Sequence, residues 1–197
     1  NNDGIDDLII GAFNANGFAG KSYVVFGSTN LGSSGSINLS SLNGSNGFDI
    51  NGVNAYDASG GSVSRAGDVN NDGVDDLIIG AYGPNSYAGK SYVIFGGTGI
   101  GSSGSINLSS LNGTNGFSLS GEGANHYSGI SVSSAGDINN DGFDDLMVGA
   151  YGFNSFAGKG YIIFGGSNVD SSGNINLSSL NGSNGFSLSG ENPGDYL

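Results

Sequence analysis

Asp68-Val69-Asn70-Asn71-Asp72-Gly73-Val74-Asp75-Asp76-Leu77-Ile78-Ile79-Gly80-Ala81-Tyr82 runs a crowded acidic loop straight into an apolar segment. Four carboxylates within nine residues repel one another unless a cation offsets them. Asp68, Asn70, Asp72 and Asp76 place side-chain oxygens at positions 1, 3, 5 and 9 of the loop. Val74, at position 7, can add its backbone carbonyl, and Gly73 permits the sharp turn that wraps a chain round an ion. Oxygen-only ligands at this spacing suit Ca²⁺, which takes six to eight of them. Mg²⁺ would demand a tighter octahedron, and metals that favour thiolates have nothing to bind in a chain without Cys. The residues from Asp76 to Tyr82 form the short continuous apolar run of a strand buried on both faces.

Outward from this segment, the sequence repeats. Ile37-Asn38-Leu39-Ser40-Ser41-Leu42-Asn43-Gly44 returns from Ile106 and again from Ile175, each time after 69 residues. The acidic loop returns on the same step, with Asp137, Asn139, Asp141, the carbonyl of Phe143, and Asp145 as candidate ligands. An earlier copy retains Asn1, Asp3, the carbonyl of Ile5, and Asp7 but lacks the first Asp, so a weaker or incomplete site is expected there. These three windows hold eleven of the seventeen acidic residues. Asp75 and Asp144, at position 8, are expected to face solvent. Position 12 is Ile79 where an EF-hand carries its bidentate Glu, and strand-like flanks replace helices, so an EF-hand is rejected. An acidic turn held by Asx-type hydrogen bonds is the alternative to a metal site.

The units run over residues 1–69, 70–138 and 139–197, the last ten residues short, as expected of a window cut from a longer tandem array. Ser62-Val63-Ser64 alternates as a half-buried strand does. Ser91-Tyr92-Val93-Ile94-Phe95-Gly96 is rich in β-branched and aromatic residues, and Gly116-Phe117-Ser118-Leu119-Ser120-Gly121 alternates again. Ile106 to Leu111 could be a strand extension or one helical turn. The fold class is therefore all-β: four-stranded antiparallel β-propeller blades, about three of them, from a larger propeller or tandem array. A β-solenoid fits less well because its coils use shorter periods.

Composition narrows the function. Seventeen acids against four bases give a formal charge of −13, which argues against nucleic-acid binding. No apolar run approaches 18 residues and no basic, then apolar, leader opens the chain, so no membrane insertion is expected. Twenty aromatic residues, in short repeated clusters, distinguish the Gly-rich sequence from a disordered one.

Ala66-Gly67-Asp68-Val69-Asn70-Asn71-Asp72-Gly73 through Asp76-Leu77-Ile78-Ile79-Gly80-Ala81, with the counterpart from Ala135 to Ala150, resembles the FG-GAP repeats of the integrin α-subunit β-propeller and its bacterial relatives. The resemblance implies one four-stranded blade per repeat, with Ca²⁺ in the hairpin loop between the first two strands. The uniform units resemble large secreted bacterial tandem-repeat proteins more than an animal integrin.

Other candidates for chemistry are weaker. His126 is the sole histidine and is expected in an exposed loop. Gly20-Lys21-Ser22 fails as a P-loop because residue 15 is Ala. Lys21, Lys90 and Lys159 recur in every unit, as a structural residue would, with the stem over apolar surface and the head near an acid. Paired carboxylates such as Asp75 and Asp76 could serve a glycosidase, but their threefold repetition favours metal ligation. The Asn-Gly-Ser/Thr sequons at Asn43, Asn112 and Asn181 matter only in a eukaryotic secretory host. The units differ chiefly in two loops, which an up-and-down blade would place on the face opposite the acidic loops. These carry Phe18, Tyr56, Tyr87, Tyr127, Phe153, Phe156 and Tyr196, either a binding surface for a protein or glycan or rings that seal neighbouring blades.

The expectation is a non-catalytic, Ca²⁺-stabilised extracellular or cell-surface β-propeller repeat that serves adhesion or protein/glycan binding. Two alternatives are a structural repeat that self-associates through cut blade edges into a layer, filament or matrix, and a non-catalytic module of a larger secreted enzyme.

Overall fold

The computed structural model describes residues 1, 3–167, 169 and 172–197. The blades are offset from the 69-residue units: the first blade contributes β1 (Leu8–Ala12), β2 (Lys21–Val25) and β3 (Gly47–Asn51). The second contributes β4 (Ser59–Gly67), β5 (Asp76–Ala81), β6 (Lys90–Ile94), β7 (Ser105–Asn107) and β8 (Gly116–Ser120). The third contributes β9 (Ser131–Gly136), β10 (Asp145–Ala150), β11 (Lys159–Ile163), β12 (Asn174–Asn176) and β13 (Gly185–Ser189). Three sheets result, in the orders β1-β2-β3-β7, β4-β5-β6-β8-β12 and β9-β10-β11-β13. Within each blade the pairing is antiparallel and up-and-down, as a propeller requires.

The segment from Ile106 to Leu111 is both things the sequence allowed. Ser105–Asn107 is a strand and Leu108–Ser110 a single 3₁₀ turn. The strand does not extend its own blade, however. β7 lies parallel to β3 of the preceding blade, with Ser105 opposite Asp49 and Ile106 opposite Ile50. β12 lies on β8 in the same way, with Asn174 opposite Ser118 and Ile175 opposite Leu119. Each blade thus closes the outer edge of the one before it, covering an otherwise open ladder.

The core lies between blades rather than inside any one sheet. Ile78, Val93, Phe117 and Leu119 pack with Val132, Leu146, Val148 and Tyr161 of the third blade. Ile79, Tyr92 and Ile94 project the opposite way, against Val24, Phe48 and Ile50 of the first. Successive residues of a strand alternate between faces, so Ile78 and Ile79 serve two junctions. That is why the run from Asp76 is continuously apolar. At the inner ends the backbones nearly touch: a Cβ on Gly80 would sit 2.0 Å from the carbonyl oxygen of Gly129.

Candidate functional site

The acidic loops are the hairpin connections β4–β5 and β9–β10, which is where the resemblance expects them. Each is organised by its own carboxylates. Asp68 accepts from the backbone N–H groups of Asp72 at 3.0 Å and Gly73 at 2.8 Å. The Asn70 side-chain oxygen also accepts from the Asp72 N–H at 3.0 Å, so the position-1 and position-3 oxygens converge on one donor. Asp72 in turn accepts from the Val74 N–H at 2.9 Å. The third blade repeats this with Asp137 and Asn139 on the Asp141 N–H, at 3.0 and 2.9 Å, and Asp141 on the Phe143 N–H. The first unit keeps what its residues allow: Asn1 on the Asp3 N–H and Asp3 on the Ile5 N–H.

The position-9 carboxylates, buried at Asp76 and Asp145 and half-buried at Asp7, do a different job. Both oxygens of Asp76 accept backbone N–H groups, from Val69 at 3.0 Å and from Gly96, beyond β6, at 2.8 Å. Asp145 does the same with Ile138 and Gly165, and Asp7 bonds the Gly27 N–H. The side chain thereby ties the acidic loop to the turn after the third strand. Burial pushes the Asp76 carboxyl up to about 7; the two backbone hydrogen bonds oppose that, and the charges of Asp72 and Asp68 add to it. Asp145 is raised for the same reasons, burial first.

Among the described residues no three Asp, Glu or His side chains converge tightly enough to form a metal site by themselves. The loop's own donor set is wider, however, since Asn70 and the Val74 carbonyl belong to it. Its oxygen-only chemistry, with four carboxylates in nine residues, fits a hard cation. The hydrogen bonds fit equally an acidic turn of the Asx type.

Asp144 corrects the expectation that position 8 faces solvent. It is half-buried, and its carboxylate accepts from the Asp68 N–H of the neighbouring blade at 2.9 Å. Asp75 is exposed as expected, and pairs with Arg65 at 2.9 Å. The three-unit recurrence of an acid at this place (Asp6, Asp75, Asp144) was the signal available for Asp144. Sequence spacing could not supply its partner, which lies in another blade. His126 is likewise not in open solvent: half-buried, it packs edge-on against Phe153 at 5.0 Å.

On the opposite face, the two variable loops of each unit are clipped together. Backbone N–H groups of Ala58, Tyr127 and Tyr196 donate to the carbonyls of Phe18, Tyr87 and Phe156 at 2.7, 2.8 and 2.9 Å. Rings pair across the clips: Phe18 with Tyr56, Tyr87 with Tyr127, and Phe156 with Tyr196, their centroids 5.3 to 6.0 Å apart. All six sit in the left-handed backbone region, unusual for bulky residues and imposed here by the clip. Tyr56 remains 72% exposed, whereas Phe153 lies under the Lys159 ammonium at 4.7 Å. The recurrent lysines meet acids in two of three cases: Lys21 with Asp49 at 2.6 Å and Lys159 with Glu122 at 2.9 Å. The Lys90 ammonium lies over the Tyr92 ring.

Antiparallel blades with sealed interfaces and a repeated acidic hairpin define a β-propeller-type repeat module. Within it, two segments, residues 59–94 and 128–163, match the FG-GAP repeat. Each match spans the first three strands of a blade, β4 to β6 and β9 to β11, with the acidic hairpin at its centre. The parallel strands β7 and β12 lie outside the matched segments. No curated protein matches the chain.

Proposed function

We propose that this chain is a non-catalytic, calcium-stabilised repeat module of an extracellular or cell-surface protein, presenting the loop face opposite the acidic hairpins to a protein or glycan. The carrying observation is the convergence of the Asp68 and Asn70 oxygens on one N–H, repeated by Asp137 and Asn139. Asp68, Asn70, Asp72, Asp76 and the Val74 carbonyl would hold one ion; Asp137, Asn139, Asp141, Asp145 and the Phe143 carbonyl would hold a second. Asn1, Asp3, Asp7 and the Ile5 carbonyl are the corresponding groups of the first copy. Bound calcium would offset carboxylate crowding and fix the hairpins, so its binding energy would become folding energy. Dissociation constants of roughly 10⁻⁴ to 10⁻³ M, usual for extracellular modules, would fill such loops outside cells and leave them empty inside.

Thermal unfolding followed by circular dichroism, in millimolar CaCl₂ and again in EGTA, tests this. Calcium should raise the midpoint, and Asp72→Asn with Asp141→Asn should abolish the rise. A midpoint indifferent to calcium would leave the hairpins as acidic turns and remove calcium from the account.

A further inference from the structure

We propose that the cleft between the first and second blades, on the loop face, binds a hexuronate, its carboxylate on the Lys90 ammonium and its hydroxyls on Asp57. The inference deepens the glycan reading of that face, on which it rests. A cavity of about 230 Å³ lies there, lined by Asn54 and Asp57 before β4, Pro84 and Asn85 after β5, and Lys90 and Tyr92 of β6. It is smaller than the roughly 300–1,000 Å³ of sites for drug-sized ligands and suits a single sugar ring.

The other two blades show what this place lacks. Lys21 meets Asp49 on the adjacent strand β3, and Lys159 meets Glu122 from the preceding loop. At Lys90 both acids are replaced. Ser118 stands where Asp49 does and Val53 where Glu122 does, and both line the cavity. Among the described residues the half-buried Lys90 ammonium meets only the Tyr92 ring, at 5.9 Å. At the junction of the second and third blades the same place is filled. Phe153 stands where Pro84 does, with the Lys159 ammonium over its ring at 4.7 Å, and His126, in the place of Asp57, packs edge-on against it. One junction thus supplies its own carboxylate and ring; the other keeps the lysine and leaves a cavity.

Asp57 supplies the second pole. It is 6% exposed, and its Oδ2 accepts from the N–H and the side-chain amide of Asn54, at 2.9 and 3.3 Å. Among the described residues its Oδ1 accepts nothing. Burial, and after it the Asp57 charge, pushes the Tyr92 phenol above its usual range, so the carboxylate lies within electrostatic reach of that ring. A buried carboxylate with a free oxygen needs donors and repels anions. The ligand must therefore bring hydroxyls to Asp57 and its negative charge to Lys90. A hexuronate carries its carboxylate on one side of the ring and hydroxyls on the other. A neutral sugar would leave Lys90 unmatched, and a simple carboxylate would leave Asp57 unmatched. The neutral Asn85 and Ser109 side chains in the lining favour hydroxyls over an ammonium group.

Chemical-shift titration of the isotope-labelled chain with sodium galacturonate and sodium glucuronate, in millimolar CaCl₂ at physiological ionic strength, tests the site. At least one uronate should bind saturably and shift Asp57, Asn85 and Lys90. Galactose, glucose, acetate and glycine should bind roughly tenfold more weakly or not at all. Val53→Glu alters a residue that is 38% exposed and gives Lys90 the partner that Glu122 gives Lys159. It should abolish binding without lowering the melting midpoint. Lys90→Met keeps the apolar stem and should weaken binding by about tenfold or more. A wild type that neither uronate saturates, a Val53→Glu chain that binds as the wild type does, or a neutral sugar or glycine that binds as tightly as the uronates would each overturn the site. Such a failure with the calcium response of the midpoint intact overturns this site alone. Uronate binding by a chain indifferent to calcium overturns the calcium reading alone.

Discussion

Asp144 and Asp68, 76 residues apart and in different blades, hold each other twice. The Asp144 carboxylate accepts from the Asp68 N–H at 2.9 Å, and the Asp144 N–H donates to the Asp68 carbonyl at 3.1 Å. The acidic hairpin of the second blade is therefore oriented by the third. Asp144→Ala should cost about 1–3 kcal/mol, because a charged acceptor is withdrawn from a half-buried N–H. Urea unfolding at neutral pH checks this, and a midpoint equal to wild type would show the pair to be dispensable.

The same contact dictates Gly67. Its φ is +81°, and an added Cβ would lie 2.2 Å from the Asp144 carboxylate oxygen. Gly67→Ala should therefore destabilise by roughly 2 kcal/mol or more, through backbone strain and displacement of Asp144 together. In the Asp144→Ala background the penalty should shrink towards the strain alone, which a double-mutant cycle measures.

Asp76→Asn separates the structural role of the loop from its proposed metal role. An amide offers one acceptor where the carboxylate offers two, so either Val69 or Gly96 is left with its N–H unmet. The expected cost of about 1–3 kcal/mol should persist in EGTA. Asp72→Asn, at an exposed position, should be nearly silent in EGTA and costly only in calcium. Equal behaviour of the two variants in EGTA would contradict this division.

Burial tests where the core lies. Phe117→Ala should cost roughly 3–5 kcal/mol, since its ring is sealed between the second and third blades. Phe186→Ala, at the equivalent but 37% exposed place on the third blade, should cost about 1 kcal/mol or less. Chemical denaturation of both variants makes the comparison.

Acid should act through Asp49. Burial alone would raise its carboxyl, but hydrogen bonds from Lys21, Ser105 and Asn51, with the Lys21 charge, outweigh it and hold it below the usual 3.8. A depressed carboxylate contributes stability above its unfolded value and loses it as pH falls through the folded one. Asp49→Asn should therefore be less stable than wild type by about 1 kcal/mol at pH 5–7, with the gap closing below pH 3.8. A gap that is unchanged at pH 2 would show that the Lys21 pair is not its source.

Local chemistry made much of this protein legible without coordinates. The unbroken period, the alternation in Gly116 to Ser120 and the apolar run from Asp76 specify strands, because side-chain period and burial are properties of a single segment. The oxygens of Asp68 and Asn70 belong to one loop with Asp72, and their convergence on the Asp72 N–H was implicit in their spacing. Contacts between units were not legible. Whether Asp144 faces water, which blade Ser105–Asn107 completes, and whether the loop aromatics are free or paired all depend on groups 50 or more residues distant or on backbone clips between loops. A repeated sequence gives Phe48, Phe117 and Phe186 equivalent surroundings in the chain. Only the packed sheets make two of them core and leave the third at the surface, because burial is conferred by the neighbouring blade.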